Sequence, residues 1–206
     1  MTATATQIKP ANLRTETFTI RGNAPYVSNK FSAEAREMMR AKQAAGAQAK
    51  KGGKREAKDF DRCYRESMHA FADGSHGVPA TSFRQAIVSA CRVVGFKMTL
   101  AKLSIFVEAD GFDVDDASPL VRFTKGEPEK FESFTRNETG VADIRVRGKW
   151  APGWEMDLRV KYDADLFSST DIRNLLQRVG AQVGVGAGRP DSKDSCGQGW
   201  GTFDVL

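Results

Sequence analysis

The sequence is poor in the residues that build metal and redox centres. Its 206 residues include three cysteines, Cys63, Cys91 and Cys196, and two histidines, His69 and His76. An odd number of widely spaced thiols excludes a disulfide framework and points to reduced cysteines in a cytoplasmic compartment. Two imidazoles without ligand-like spacing exclude an obvious metal constellation, so neither a metal nor a cofactor is expected. No apolar run approaches the roughly 18 residues of a membrane span. Met1 to Thr6 has neither the basic start nor the apolar core of a secretory signal, and no membrane association is expected. An apolar fraction of 40% and a charged fraction of 28% describe an ordinary globular chain. The length suits one domain carrying insertions or two small ones.

Glycine is abundant, and it is concentrated. Six of the 19 glycines fall between Gly184 and Gly201, in Gly184-Val185-Gly186-Ala187-Gly188-Arg189-Pro190 and Gly197-Gln198-Gly199-Trp200-Gly201. Unencumbered backbone N–H groups beside Arg189 and Lys193 suit the close approach of a phosphate; the alternative is a surface turn. Two nucleotide fingerprints fail here. A P-loop needs Gly-Lys-Ser/Thr opening a helix after a strand, and the dinucleotide motif needs the same topology. This loop instead follows a helix and precedes a strand.

The positive charge is also localised. Arg36 to Arg62 holds nine Lys/Arg against four Asp/Glu, a net of +5 that equals the charge of the whole chain. The segment centres on Lys50, Lys51, Lys54 and Arg55, and localised charge of this kind suits a polyanion. A solvated helical face is the competing reading.

Periodicity orders the rest. Residues 1–14 read as an arm and Thr17 to Arg21 as a first strand. Ser32 caps a helix from Ala33 to Ala45, a basic loop covers Gly46 to Gly53, and Arg55 to Ala70 reads as a second helix. A firmer helix follows Pro79, with Phe83, Ile87, Cys91 and Val94 at helical spacing and Gly95 as its stop. Leu103 to Ala109 reads as an apolar strand and Leu120 to Thr124 as another. Gly126 to Gly153 reads as polar and irregular, with a possible hairpin at Asn137 to Gly140. Trp154, Met156, Leu158, Val160 and Tyr162 alternate with charged residues, the signature of a half-buried antiparallel strand. Ser168 and Asp171 resemble a capping box opening a helix with Ile172, Leu175, Leu176, Val179 and Val183 on one stripe. Trp200 to Leu206 supplies the last strand. With residues 23–78 and 110–153 set aside as insertions, the order is strand, helix, strand, strand, helix, strand. The expected fold is therefore α+β and ferredoxin-like, a split βαβ (RRM-like) antiparallel sheet with two helices and two large insertions, in a single domain.

Three features together resemble one family. Gly77-Val78-Pro79-Ala80-Thr81-Ser82-Phe83-Arg84-Gln85-Ala86-Ile87 resembles the segment that opens the first helix of CRISPR-associated RAMP proteins. Gly184 to Gly201 resembles that superfamily's glycine-rich loop before the final strand. The core order, with a basic finger-like insertion at 23–78 and a thumb-like one at 110–153, is similar to its crRNA-binding backbone subunits. The chain also resembles proteins of phage or prophage origin. Ala80 and Gln85 stand where the family has glycines, Arg84 where it often has Lys, and the spacer Pro190 to Cys196 is longer than the family loop.

The resemblance implies a single-stranded nucleic-acid binder, RNA before DNA, that oligomerises along the strand as a homo-oligomer or filament with possible further effector-complex subunits. Its expected phosphate contacts are Lys50, Lys51, Lys54, Arg55, Arg84, Gly184, Gly186, Gly188, Arg189, Lys193, Gly197 and Gly199. Arg136, Arg145, Arg147 and Trp150 in the thumb-like insertion would wedge between bases or touch a neighbour. Phe106 and Phe112 do not form the aromatic run of an RRM, and Phe18, Phe83, Trp154 and Trp200 read as core, so recognition should be backbone-led. The superfamily also contains metal-independent endoribonucleases with a catalytic His. Of His69 and His76, the latter lies in a Gly-flanked turn, but no partner for either is visible in sequence and no catalytic residue is assigned. A phage structural or assembly protein on the same fold is the third alternative.

Overall fold

Alternating apolar and polar residues build the main sheet of the computed structural model, which describes residues 8–31, 33–45, 59–136, 142–192 and 196–206. In chain order the elements are strands β1 (Leu13–Gly22) and β2 (Tyr26–Val27), helices α1 (Ala33–Ala45) and α2 (Phe60–Glu66), strands β3 (His69–Ala70) and β4 (His76–Pro79), and helices α3 (Ala80–Ala90) and α4 (Met98–Ser104). There follow strands β5 (Ile105–Val107), β6 (Gly111–Phe112), β7 (Pro119–Lys125), β8 (Pro128–Arg136), β9 (Ala142–Trp150) and β10 (Glu155–Asp163). Helix α5 (Ser169–Arg178) continues into a π-helical turn, Val179–Val183, and β11 (Phe203–Val205) ends the chain.

The two longest partners, β1 and β10, pair antiparallel from Leu13 opposite Asp163 to Arg21 opposite Glu155. That register puts Phe18 and Ile20 beside Leu158 and Met156 on one buried face. Strand β11 adds to the free edge of β1. The second edge of β10 is shared: β5 pairs near its C-terminal end and β7 near its start, both antiparallel. The sheet therefore runs β11-β1-β10, then β5 at one end and β7, β4 and β3 at the other, with β6 also on β7. The architecture is α+β with a mostly antiparallel sheet. Helices α3 and α5 supply Phe83, Ile87, Ile172 and Leu176 to the same core, and each such side chain contributes about 1.5–3 kcal/mol by leaving water. The capping box read from Ser168 and Asp171 forms at the start of α5 and fixes where that helix begins.

Three local expectations are corrected. Leu103 and Ser104 belong to α4, which buries Ala101 and Ser104 and leaves Leu103 exposed, so the apolar run supplies only a three-residue strand. Within the span read as a second helix, the described part is the short α2, capped by Asp59, followed by β3. The stretch taken as irregular holds the long strands β8 and β9, paired from Pro128–Trp150 to Arg136–Ala142.

The two insertions pair with each other. Tyr26 and Val27 of β2 lie opposite Trp150 and Lys149 of β9, giving a second sheet in the order β2-β9-β8. Its base stacks on the main sheet: the rings of Trp150 and Phe123 are parallel at 4.5 Å, with Tyr26 and Trp154 packed edge-on around them. A buried ion cluster staples the sheets together. The Lys30 ammonium, just beyond β2, sits 2.8 Å from Asp113 and 2.6 Å from Asp115, which follow β6.

Candidate functional site

The glycine loop is folded onto its own chain before any ligand is considered. Its bonds run Val185 N–H to Gly201 O, Ala187 N–H to Val27 O, Gly201 N–H to Pro25 O, and Gln198 and Trp200 N–H to Gly188 O. Gly184, Gly186, Gly188, Gly197, Gly199 and Gly201 all have positive φ. Two of them show what glycine permits: a Cβ on Gly186 would meet the Tyr26 ring and Val27 carbonyl, and one on Gly201 would enter the Val185 carbonyl. The loop is thus a tight layer against β2. Among the described residues the N–H groups of Gly186, Gly188 and Arg189 have no acceptor and remain available.

Across β2 from this loop lies one face of the hairpin sheet. In β9, Val146, Gly148 and Trp150 are buried, so the intervening Arg145, Arg147 and Lys149 share the other face. Opposite them on β8 stand Ser133, Phe131 and Glu129. The Lys149 ammonium lies 4.8 Å from the centroid of Phe131, and Phe131 meets Trp200 of the glycine loop edge-on at 5.5 Å. Arg145 reaches Asp143 at 3.6 Å. Arg147 has no hydrogen-bond or carboxylate partner among the described residues, and burial, with the neighbouring Arg145, pushes its pKa below the ordinary arginine value. It stays charged, since a guanidinium does not deprotonate in proteins, so an arriving anion would relieve both penalties.

On its other side the glycine loop forms one wall of a cleft of about 270 Å³. The start of α3 supplies the facing wall through Pro79, Ser82, Gln85 and Ala86, with Asn29 and His69 from the first insertion at one end. His69 Nδ1 is 2.8 Å from Asp113 Oδ2. Asp113 also receives Lys30 and the N–H groups of Asp115 and Ala70; burial raises its pKa, but these bonds outweigh burial and hold it at about 2. Facing a carboxylate, Nδ1 carries the ring proton, which leaves Nε2 as the acceptor. Burial lowers the His69 pKa despite Asp113, whose charge Lys30 already balances. His69, Asp113 and Asp116 bring ligand atoms within 4.8 Å of one another, a grouping that sequence spacing did not suggest. Lys30 occupies the place of a cation on Asp113, and Asp116 is bonded to Arg36 and the Ser118 N–H.

Of the sequence-predicted site residues, Gly184, Gly186, Gly188, Arg189, Gly197 and Gly199 lie together in the loop, and the cleft joins Gly184, Gly186 and Arg189 to the start of α3. Arg84 does not join them. Its guanidinium bonds the carbonyls of Ile105 and Lys102 and stacks over Phe106 at 4.6 Å, on the far side of α3; Gln85 faces the cleft instead. Lys50, Lys51, Lys54, Arg55 and Lys193 lie outside the described residues. Trp150 is buried core, whereas Trp200, read as core, is half exposed. His76 packs against Trp150; burial lowers its pKa, the nearby Glu127 opposes that, and no carboxylate is hydrogen-bonded to its ring among the described residues. Sequence reasoning missed Lys149 and Phe131, although the alternation of Arg145, Arg147 and Lys149 with Val146, Gly148 and Trp150 signals one basic face. It could not reach Lys30 or Asp113, whose contact spans the two insertions. In comparisons with known proteins, no family model matches this chain and no curated protein matches it.

Proposed function

We propose that this chain binds single-stranded nucleic acid, RNA before DNA, along a surface running from the hairpin face to the glycine loop. The observation that carries this reading is Arg147, a partly desolvated guanidinium without a partner among the described residues, flanked by Arg145, Lys149, Phe131 and Trp200. Cations that track phosphates, interleaved with aromatic rings for bases, are how single strands are held without sequence readout. The open N–H groups of Gly186, Gly188 and Arg189 extend that surface with neutral donors. The strand order β11-β1-β10-β5, with α3 and α5 as crossovers, supports a ferredoxin-like reading of the core and, with it, the likeness to RAMP backbone subunits, strand-wise oligomerisation included. Fluorescence anisotropy of labelled decamers tests the proposal: single-stranded RNA should bind at about 50 mM salt, duplex more weakly, and Arg147→Glu should weaken binding by about ten-fold. Equal binding by that variant would reject it.

A second reading is favoured by the His69–Asp113 pair on the cleft wall. His69 Nε2 could take the proton of a ribose 2′-hydroxyl, whose oxygen would attack the adjacent phosphorus. The P–O5′ bond would break, and the imidazolium would return the proton to O5′, leaving a 2′,3′-cyclic phosphate and a 5′-hydroxyl. Cleavage of labelled RNA in excess chelator, lost in His69→Ala, would establish it; intact RNA would exclude it.

A further inference from the structure

We propose that the cleft between α3 and the glycine loop receives one unstacked nucleobase and selects bases that carry an exocyclic amino group. The inference rests on the strand-binding reading and adds base selectivity to a surface otherwise indifferent to sequence.

Size bounds the occupant first. About 270 Å³ is the room of about nine waters, enough for one heterocycle and too little for a base pair. The polar groups then define its chemistry. Asn29 and Gln85 each offer an amide donor and acceptor, and Ser82 a hydroxyl, none with a partner among the described residues. Tyr26, Pro79, Ala86 and Val185 give apolar wall against which a ring face can lie.

Asp191 decides between a phosphate and a base. Its Oδ2 is fixed by the Ser89 hydroxyl at 2.5 Å and Arg92 at 2.7 Å, while Oδ1 has no partner among the described residues. The Ser89 bond, with Arg92, keeps the carboxyl below its ordinary pKa, so it is an acceptor only. A carboxylate on the wall repels phosphate and accepts from N–H. Cytosine N4, adenine N6 and the guanine amino group fit that requirement; the O4 of uracil and thymine does not. The phosphate belongs at the mouth, where Arg189 lies against the Gly186 carbonyl at 3.3 Å beside the open Gly186 N–H. Arg189 and Gly186 line the cleft and belong to the loop that carries Trp200, so a strand on the hairpin face can turn one nucleotide inward.

The test uses the full chain with labelled rA, rC and rU decamers by anisotropy, and with AMP, CMP and UMP by NMR titration. The decamers rA and rC should bind about ten-fold tighter than rU, and the monophosphates should follow that order. Asp191→Asn replaces an acceptor with an amide and should remove or invert the preference. Gln85→Leu, at an exposed position, should weaken rA and rC toward rU without affecting folding. Decamers that bind equally with a steep salt dependence would overturn the base pocket and leave strand binding standing. Selective monophosphates with no decamer binding would keep the pocket and reject the strand. Failure of both ligand sets to bind would overturn both.

Discussion

On the open face of the main sheet, each cation of β10 is ion-paired; on the hairpin face, Arg147 has no carboxylate partner among the described residues, and Lys149, with Glu129 opposite it, lies over the Phe131 ring. Arg159 lies 3.0 Å from Asp110 and Lys161 3.1 Å from Glu108, while Arg21 and Lys125 share Glu155. The open face is where an RRM would carry its ligand. Here it is a closed ladder of ion pairs, and a phosphate arriving there would have to displace a carboxylate from every cation. The hairpin face has fewer cations, but Arg147 has no carboxylate partner among the described residues and Lys149 lies against an aromatic ring. The proposed interface is therefore chosen by local pairing rather than by local charge, because an exposed pair has little field left to offer an anion.

The largest expected effect lies at the staple between the two sheets. Asp113→Asn removes the buried one of the two carboxylates on the Lys30 ammonium, leaving only the half-exposed Asp115, and should lower stability by about 3 kcal/mol, read by chemical denaturation. The same group predicts an acid limb. Its pKa is about 2 folded and 3.8 ordinarily, so its contribution is complete above about pH 4 and is lost as pH falls toward 2. His69, with its folded pKa lowered below 6.5, adds a loss that begins as pH falls through 6.5, because the unfolded chain takes up the proton more readily. Asp113→Asn should flatten the limb below pH 4; an unchanged profile would contradict the staple.

Charge reversal then breaks the comparison of the two faces directly. Arg147→Glu with Lys149→Glu should weaken single-stranded RNA binding by about 100-fold at low salt. Arg159→Glu with Lys161→Glu, on the face whose charges already cancel, should change it by less than about three-fold. Equal losses would mean that overall charge, not the hairpin, governs binding. A smaller effect concerns the ring beside the cations: Trp200→Ala should cost about 1–2 kcal/mol of affinity with the salt dependence unchanged, since stacking releases no counterions.

The parts of this molecule that sequence could reveal are those whose physics is local. The alternation from Trp154 to Tyr162 and the Ser168–Asp171 cap survive intact because strand pleat and helix cap need only near neighbours. Leu103 to Ala109 misled because a short apolar run has the same composition in a helix end as in a strand, and here a helix–strand junction divides it. A hairpin turn at Asn137 to Gly140 was legible, but the long strands flanking it were not, because β8 is charged on both faces and Gly148 interrupts the apolar side of β9, where Met68 packs over it. The site behaved likewise. The glycine loop and the start of α3 were legible and do share a cleft, but the direction of Arg84 was set by carbonyls at Lys102 and Ile105. Lys30, His69 and Asp113 meet only because the two insertions pair with one another, a contact that no local spacing encodes.

The central claim is that cations of the hairpin face neutralise phosphates. The most direct measurement is the slope of log affinity against log salt for a single-stranded RNA decamer. Three such cations give about −2 for the native chain and about −0.7 for Arg147→Ala with Lys149→Ala. A slope that these substitutions leave unchanged would contradict the account.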